Sequence, residues 1–410
     1  MANKVTAPAK KSLQTSAEVG RFVKGHYARM RADKEQGRPV VWTFGVMPRE
    51  LWVALDLAVG ALEHLPIMAA SKQVIGQYLD LAEELGFGRD LCPYHTTMIG
   101  CSAAPVRDEY MERILTPPDL IVASNYPCMA ESKSFLFAVE RFGCPYYFID
   151  APINTWGARV DDHAVHYYVE QVIGLLAFLG DHGLKMDMAR LSRVVADSKT
   201  MTHLWSEVDE YRKLSPVPMS FADGLTCMYL MVYYPGHPEA VEVYRRLRDE
   251  VRYRAENKMG VLDDERFRLL FLGVPPFYNM GLLNYPEKYG GVFVKSEMEY
   301  IGTGQMNLDV LDPEHPLQSL ARKQLADWPN PTYANRIELM RRVVKEFRID
   351  GIVAAHKRGC RNLPAGFRLI KDAVAGEAGI PMTVFDLDGL DLREYNDAQV
   401  KSNLDSFMET

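Results

Sequence analysis

Apolar residues in this chain fall into two alternating rhythms. Short unbroken runs, of the length of buried strands, are separated by longer stretches with apolar positions three and four apart. In the first half, PVVWTFGV (39–46), PDLIVASNY (118–126) and PYYFIDAP (145–152) read as strands. PRELWVALDLAVG (48–60) reads as a helix with Leu51, Ala54, Leu55, Ala58 and Val59 on one face, and ESKSFLFAVERFG (131–143) reads as another. In the second half, FRLLFLGVPP (267–276), GGVFVKS (290–296), DGIVAAH (350–356) and PMTVFDLD (381–388) repeat the strand rhythm. A helix between them, YANRIELMRRVVKEF (333–347), aligns Ile337, Met340, Val344 and Phe347. Continuous apolar strands alternating with helices predict parallel sheets covered on both faces.

The expected fold is α/β. Two doubly wound parallel-sheet domains of flavodoxin or Rossmann type, residues 21–160 and 263–410, are joined by a helical connector, 161–262. Residues 1–20 carry no apolar h-region and are expected to be a frayed tail rather than a signal peptide. The longest apolar stretch, VIGLLAFLG (172–180), is too short to span a bilayer. A net charge of −7 with no dense basic face argues against nucleic acid. These features point to the cytoplasm, where thiols stay reduced, so the six cysteines are expected as buried small hydrophobes or as ligands.

Ligands of open parallel sheets gather beyond the carboxyl ends of the strands. Cys128 closes DLIVASNYPC and Cys360 closes DGIVAAHKRGC, each just past a strand. Cys92, in GFGRDLCPYHTT, follows a Gly-rich turn and lies in a loop shortly before His95. Cys144 precedes a strand, at the wrong end of the sheet; Cys227 sits inside an apolar run; Cys101 fits either role. Three thiolates from separate loops could hold an iron–sulfur cluster and leave one iron open to bind substrate or pass an electron. The spacings, 128 − 92 = 36 and 360 − 128 = 232, match no local motif and there is no CxxC. By spacing alone, burial as plain hydrophobes is the commoner use of such cysteines and stays open.

The order of these pieces resembles the 2-hydroxyacyl-CoA dehydratase/benzoyl-CoA reductase family, in particular its B-type reductase subunits. The resemblance runs from about residue 20 to the end. It is carried by FGVMPRELWVALDLAVGALEHLP, RDLCPYHTTMIG, SNYPCMAESKSFLFAVERFGCPYYFIDAP, DGIVAAHKRGCRNLPAGFRLIKDAV and TVFDLDGLDLREYNDAQVKSNLDSFME. The family's three ligand positions fall on Cys92, Cys128 and Cys360. The resemblance implies a [4Fe–4S] cluster, single or part of a sulfide-bridged double cubane. It also implies a related second subunit, a separate ATP-hydrolysing iron–sulfur activator and a CoA thioester substrate. The chain has no GxxxxGK[ST], so ATP belongs to the activator. YPCMAES lacks the Cys-Asp-Gly-Lys run of some relatives, and CPYHTT differs from their first ligand loop, which leaves the substrate class and the cluster's form open.

His95 and Tyr126, beside ligand loops, are expected as proton donors, with bonds to loop carbonyls as the alternative. His356, Lys357 and Arg358 place cations near Cys360, to tune a cluster, meet CoA phosphates or face solvent. Glu50 begins a helix, where a carboxylate favours the dipole. GTGQ (302–305) reads as a turn. CMYLMVYYPG (227–236) reads as core, while PPFYNMG (275–281) is placed to wall a pocket with Phe277 and Tyr278. The leading expectation is the catalytic subunit of an ATP-dependent aromatic acyl-CoA reductase. The runners-up are a 2-hydroxyacyl-CoA dehydratase subunit with the same ketyl-radical chemistry, and a non-catalytic scaffold subunit.

Overall fold

The computed structural model describes residues 13–410 except 46, 62, 104–107, 129, 154–159 and 328–331. Of the expected tail, residues 1–12 lie outside the described residues, and a helix, Gln14–Glu35, begins immediately after them. Two four-stranded parallel sheets carry the fold. The first holds β1 (Val41–Phe44), β2 (Gly60–Ala61), β3 (Leu120–Ser124) and β4 (Tyr146–Ile149) in the order β2-β1-β3-β4. The second holds β5 (Phe267–Leu272), β6 (Gly291–Ser296), β7 (Gly351–His356) and β8 (Met382–Asp386) in the order β6-β5-β7-β8. Both sheets are doubly wound, as the alternation of strands and helices predicts. Each winds outward and then turns back past its first strand, so the winding reverses between β1 and β3 and again between β5 and β7. A crevice opens at such a point, because successive helices leave to opposite faces.

Burial follows strand position. Every residue of the central β3 is buried, from Leu120 to Ser124, which is why LIVAS shows no polar alternation. The edge strand β4 is exposed at Tyr146 and fully buried only at Ile149. In register, Val41 to Phe44 pair with Leu120 to Ala123, and Leu269 to Leu272 with Gly351 to Ala354. The central strands therefore end level.

One predicted helix is much shorter than its pattern. Residues 48–60 yield only Glu50–Ala54, because Asp56 takes φ 58°, a left-handed turn that ends the helix and frees Gly60–Ala61 to pair with β1. Helices Asp162–Asp181, Met188–Arg212, Phe221–Tyr233 and Pro238–Glu256 lie between the two sheets in sequence. Asp161 starts the first by accepting from His163 N at 2.8 Å, and Ser220 starts the third by accepting from Asp223 N.

Buried ion pairs fix these helices to both sheets. Arg212 donates to Glu299 at 2.6 Å and to Val294 O at 2.6 Å, and Lys295 donates to Asp209 at 2.5 Å. On the other side, Ser198 and Lys323 each donate to Glu50 Oε1 at 2.7 Å. The helix Pro316–Ala326 reaches over from the second half, burying Leu320 and Leu325 in the core that contains Val41, Leu51 and Val122. None of the described helices is long and apolar enough to cross a membrane.

Candidate functional site

A cavity of about 880 Å³ lies where the carboxyl ends of β1, β3, β5 and β7 meet the helix Phe221–Tyr233. Cys92, Cys128 and Cys360 all line it. Cys128 and Cys360 hold equivalent places in the two sheets, each four residues beyond its strand (128 − 124 and 360 − 356). Cys92 immediately precedes the helix Pro93–Ala103, whose first turn it anchors by accepting from His95 N at 2.9 Å and Thr96 N at 3.1 Å. Gly359 brings the two loops together: a Cβ there would sit 2.7 Å from Leu91 O and 3.1 Å from Cys92 Cα. Only a residue without a side chain lets the Cys360 loop lie this close. Cys101, Cys144 and Cys227 do not line the cavity.

Each of the three sulfurs has a backbone N–H beside it. Burial pushes Cys92 up to about 11, with neighbouring Cys360 adding to the rise, while Lys357 and the Tyr94 N–H oppose it. Burial also raises Cys128, against a hydrogen bond from the Ala130 N–H. Leu363 N donates to Cys360 Sγ at 3.4 Å. Each sulfur thus faces a backbone N–H two or three residues on, a donor set that favours thiolate once a cation binds. Lys357 is 1% exposed, sits 4.5 Å from the Tyr94 ring centroid, and lies 3.9 Å from Asp388 Oδ1. Burial works against its charge, but Asp388, Cys92 and Cys360 outweigh that and raise its pKa. Its nearest hydrogen-bonding neighbour is the Cys92 thiol, which helps to hold its charge. His356 and Arg358 instead turn outward onto Asp386, at 2.9 and 2.6 Å.

Thiols from three loops lining one cavity, each with an amide donor, and a buried cation beside two of them fit an anionic metal–sulfur group. Among the described residues, no three His, Cys, Asp or Glu side chains converge closely enough to ligate a single ion.

His95 lines the cavity, on the helix that Cys92 begins. Its Nδ1 is 3.0 Å from Ser134 Oγ, and that hydroxyl donates to Glu131 O at 3.0 Å. Ser134 must therefore accept from His95, which assigns the proton to Nδ1 and leaves Nε2 as an acceptor. Burial, and then Lys357, bring this imidazole down to about 4. Tyr126 is buried but does not line the cavity. Its hydroxyl donates to Asp327 Oδ2 at 3.4 Å, and Asp327 does line the cavity.

Other lining residues were less visible in the sequence. Glu50 is fully buried and bridges Ser198 and Lys323, so it is more than a residue at a helix start. Lys323 and Asp327 arrive from a helix that no sequence signal tied to the cysteines. Asp327 accepts from Gly302 N at 2.8 Å, and burial brings its carboxyl up to about 7. Glu131, three residues beyond Cys128, is buried, and burial and Cys128 keep its carboxyl well above the usual range; its place at a helix start after a cysteine was a usable signal. The run 227–236, expected as core, packs one side as core and presents Met228, Tyr229 and Tyr233 to the cavity. Phe277 lines the cavity, whereas Tyr278 turns away and donates to Asp388 O at 2.7 Å.

Relatives among known proteins match this chain over more than nine-tenths of its length. The B-type subunit of benzoyl-CoA reductase from Thauera aromatica is 26% identical over 409 residues, covering 95% of this chain and 92% of that protein. The (R)-2-hydroxyisocaproyl-CoA dehydratase alpha subunit of Clostridioides difficile is 25% identical over 399 residues, covering 93% and 92%. The (R)-phenyllactyl-CoA dehydratase alpha subunit of Clostridium sporogenes is 24% identical over 382 residues, covering 92% and 90%. These relatives are enzyme subunits. A family described as 2-hydroxyglutaryl-CoA dehydratase, D-component, matches residues 45–410, and the chain belongs to that family.

Proposed function

We propose that this chain is the iron–sulfur catalytic subunit of an aromatic acyl-CoA reductase of the benzoyl-CoA reductase kind. A related second subunit would cover the crevice, and a separate ATP-hydrolysing iron–sulfur activator would deliver low-potential electrons. The observation that carries this reading is that Cys92, Cys128 and Cys360, from three separate loops, all line one largely apolar cavity, with Cys360 near enough to both others to act on their charge. When bound, a [4Fe–4S] cluster, alone or as half of a double cubane, supplies one-electron reduction of the thioester.

The chain's own residues would do the rest. Amide donors and Lys357 hold the negative charge of the thiolates. Phe277, Tyr229, Tyr233 and the surrounding methionines exclude water from an anionic radical formed at the substrate carbonyl. His95, its ring held by Ser134 through Nδ1–H, would first take a proton at Nε2 from an acid in the cavity and then pass it to that substrate. Tyr126 would act through Asp327, whose carboxyl it orients.

The second reading is a 2-hydroxyacyl-CoA dehydratase subunit. It is supported by the family description and by dehydratase relatives at nearly the same identity as the reductase, 25% against 26%. Product analysis with the activator separates the two. Stoichiometric consumption of reductant and ATP means reductase; a catalytic priming amount with loss of water means dehydratase. A complex that turns over normally without iron in this chain would leave a scaffold role.

A further inference from the structure

The loop after β7 carries Cys360 and is braced from behind. Cys360 N donates to Lys357 O at 3.0 Å, and Leu363 N donates to Cys360 Sγ at 3.4 Å, so residues 357–363 make two successive tight turns about the sulfur. Arg336, 6% exposed on the helix Tyr333–Glu346, donates from Nη1 to Ala365 O at 2.7 Å and from Nη2 to Leu363 O at 2.8 Å. Its Nε and Nη2 also donate to Glu297 Oε2, at 3.0 and 2.8 Å. Glu297 directly follows β6, and its Oε1 accepts at 3.0 Å from the N–H of Gly273, which directly follows β5. A planar guanidinium can serve a carboxylate and two carbonyls at once in fixed geometry, which a single ammonium cannot. A buried ion pair anchored at the ends of β5 and β6 thus holds the Cys360 loop.

Asn362 sits inside this braced loop and lines the cavity. Its Nδ2 donates at 2.8 Å to Pro127 O, the carbonyl immediately before Cys128 and 235 positions away in sequence. The bond joins the ligand loops of the two sheets. The Cys92 loop meets the Cys360 loop by backbone packing at Gly359, whereas the Cys128 loop meets it through the Asn362 amide. Cys360 is near enough to Cys128 to act on its charge. The peptide unit is planar, so fixing the Pro127 carbonyl also fixes the plane that contains the nitrogen and Cα of Cys128. One side-chain hydrogen bond thereby sets where the Cys128 thiol starts, measured from a loop that is itself held.

We propose that Asn362 is the positioning residue that sets Cys128 against Cys360, with Arg336 and Glu297 holding the loop from which it reaches. The inference rests on the iron–sulfur reading and adds to it what fixes the spacing of the ligands across the two sheets. Asn362 acts through the Pro127 carbonyl and carries neither electrons nor protons.

The test uses the complex with its partner subunit, purified anaerobically, and follows the rate at which iron passes to an excess of the ferrous chelator bathophenanthroline disulfonate. Asn362→Leu keeps the size and branching of the side chain and removes the amide. It is expected to release iron about tenfold faster than the wild type or more, the scale of losing an outer partner of a metal ligand. The electron paramagnetic resonance spectrum of its reduced cluster should change shape, because the Cys128 ligand is displaced. The melting temperature of the iron-free complex should fall by no more than about 3 °C, the effect of one half-buried hydrogen bond in a chain of this size. Arg336→Lys, which keeps a cation beside Glu297 and gives up the two carbonyls, should speed iron release in the same way. Wild-type release and spectrum in Asn362→Leu overturn the inference alone, as does faster release matched by a larger fall in melting temperature, which would make the bond general packing. Wild-type release in Arg336→Lys overturns the brace. A wild-type complex that carries no iron overturns the iron–sulfur reading, and this inference with it.

Discussion

Gly359→Ala should damage the site without touching a reacting atom. The new Cβ would lie 2.7 Å from Leu91 O, 2.9 Å from Leu91 C and 3.1 Å from Cys92 Cα. Ordinary contact begins near 3.4 Å, so the Cys360 loop and the Cys92 loop must part by about 0.7 Å (3.4 − 2.7). All three neighbours are backbone, so no flexible side-chain end can yield instead. Overpacking of this kind costs about 1–3 kcal/mol, a loss the fold should survive. The sulfur positions should not, because a shift approaching 1 Å in a catalytic frame lowers rates by up to about 10²-fold. The assay is iron and acid-labile sulfide per chain after anaerobic purification with the partner, then turnover with the activator. Gly25→Ala is the control: a Cβ there meets nothing within 4 Å, and alanine favours its helix by up to about 1 kcal/mol. Iron, sulfide and turnover at wild-type levels in Gly359→Ala would refute the claim that the contact between these loops sets the sulfur geometry.

The remaining predictions concern the same cavity. Cys128→Ala should lose most of the iron and Cys144→Ala should keep it; the reverse in iron analysis would unseat the ligand assignment. His95→Gln should keep the iron and its visible spectrum and lower turnover by roughly 10²-fold, the usual scale for a general acid; full turnover would leave His95 as a helix residue bonded to Ser134. Lys357→Met should make the bound cluster harder to reduce, measured by an anaerobic redox titration followed by electron paramagnetic resonance, because a buried cation beside Cys92 and Cys360 is lost; an unchanged potential would count against it. For Asp327, burial raises the folded carboxyl from 3.8 to about 7, so the native state keeps a proton that the unfolded chain has released. Its contribution to stability therefore falls as pH rises from about 4 to 7, by up to about 1.4 kcal/mol per pH unit. Urea titrations of the apo-protein should show Asp327→Asn gaining on the wild type across that window, and parallel pH profiles would contradict the buried-acid assignment.

The sequence alone determined the two parallel sheets. Runs such as LIVAS and GIVAAH have one structural use, since a strand covered by helices on both faces has no polar side to show. It also singled out Cys128 and Cys360, because a residue just past a parallel strand lies at the ligand end of the sheet; Cys92, in a loop after a helix and a Gly-rich turn, joined them through its place before His95 and the family resemblance. Local backbone preference cut residues 48–60 to a five-residue helix: the pattern of Leu51, Ala54, Leu55 and Ala58 is helical, but Asp56 turns left-handed and Gly60–Ala61 gain a strand partner in β1. What only the tertiary structure decided is which distant residues share the cavity. Lys323, Asp327 and Glu50 meet across more than 270 positions (323 − 50 = 273) because Pro316–Ala326 packs over the first half, and no periodicity encodes that crossing. Orientation was equally hidden. His356 and Arg358 face solvent while Lys357 between them is buried, since alternate residues leaving a strand point to opposite sides, and only the position of the second loop shows which side is the cavity.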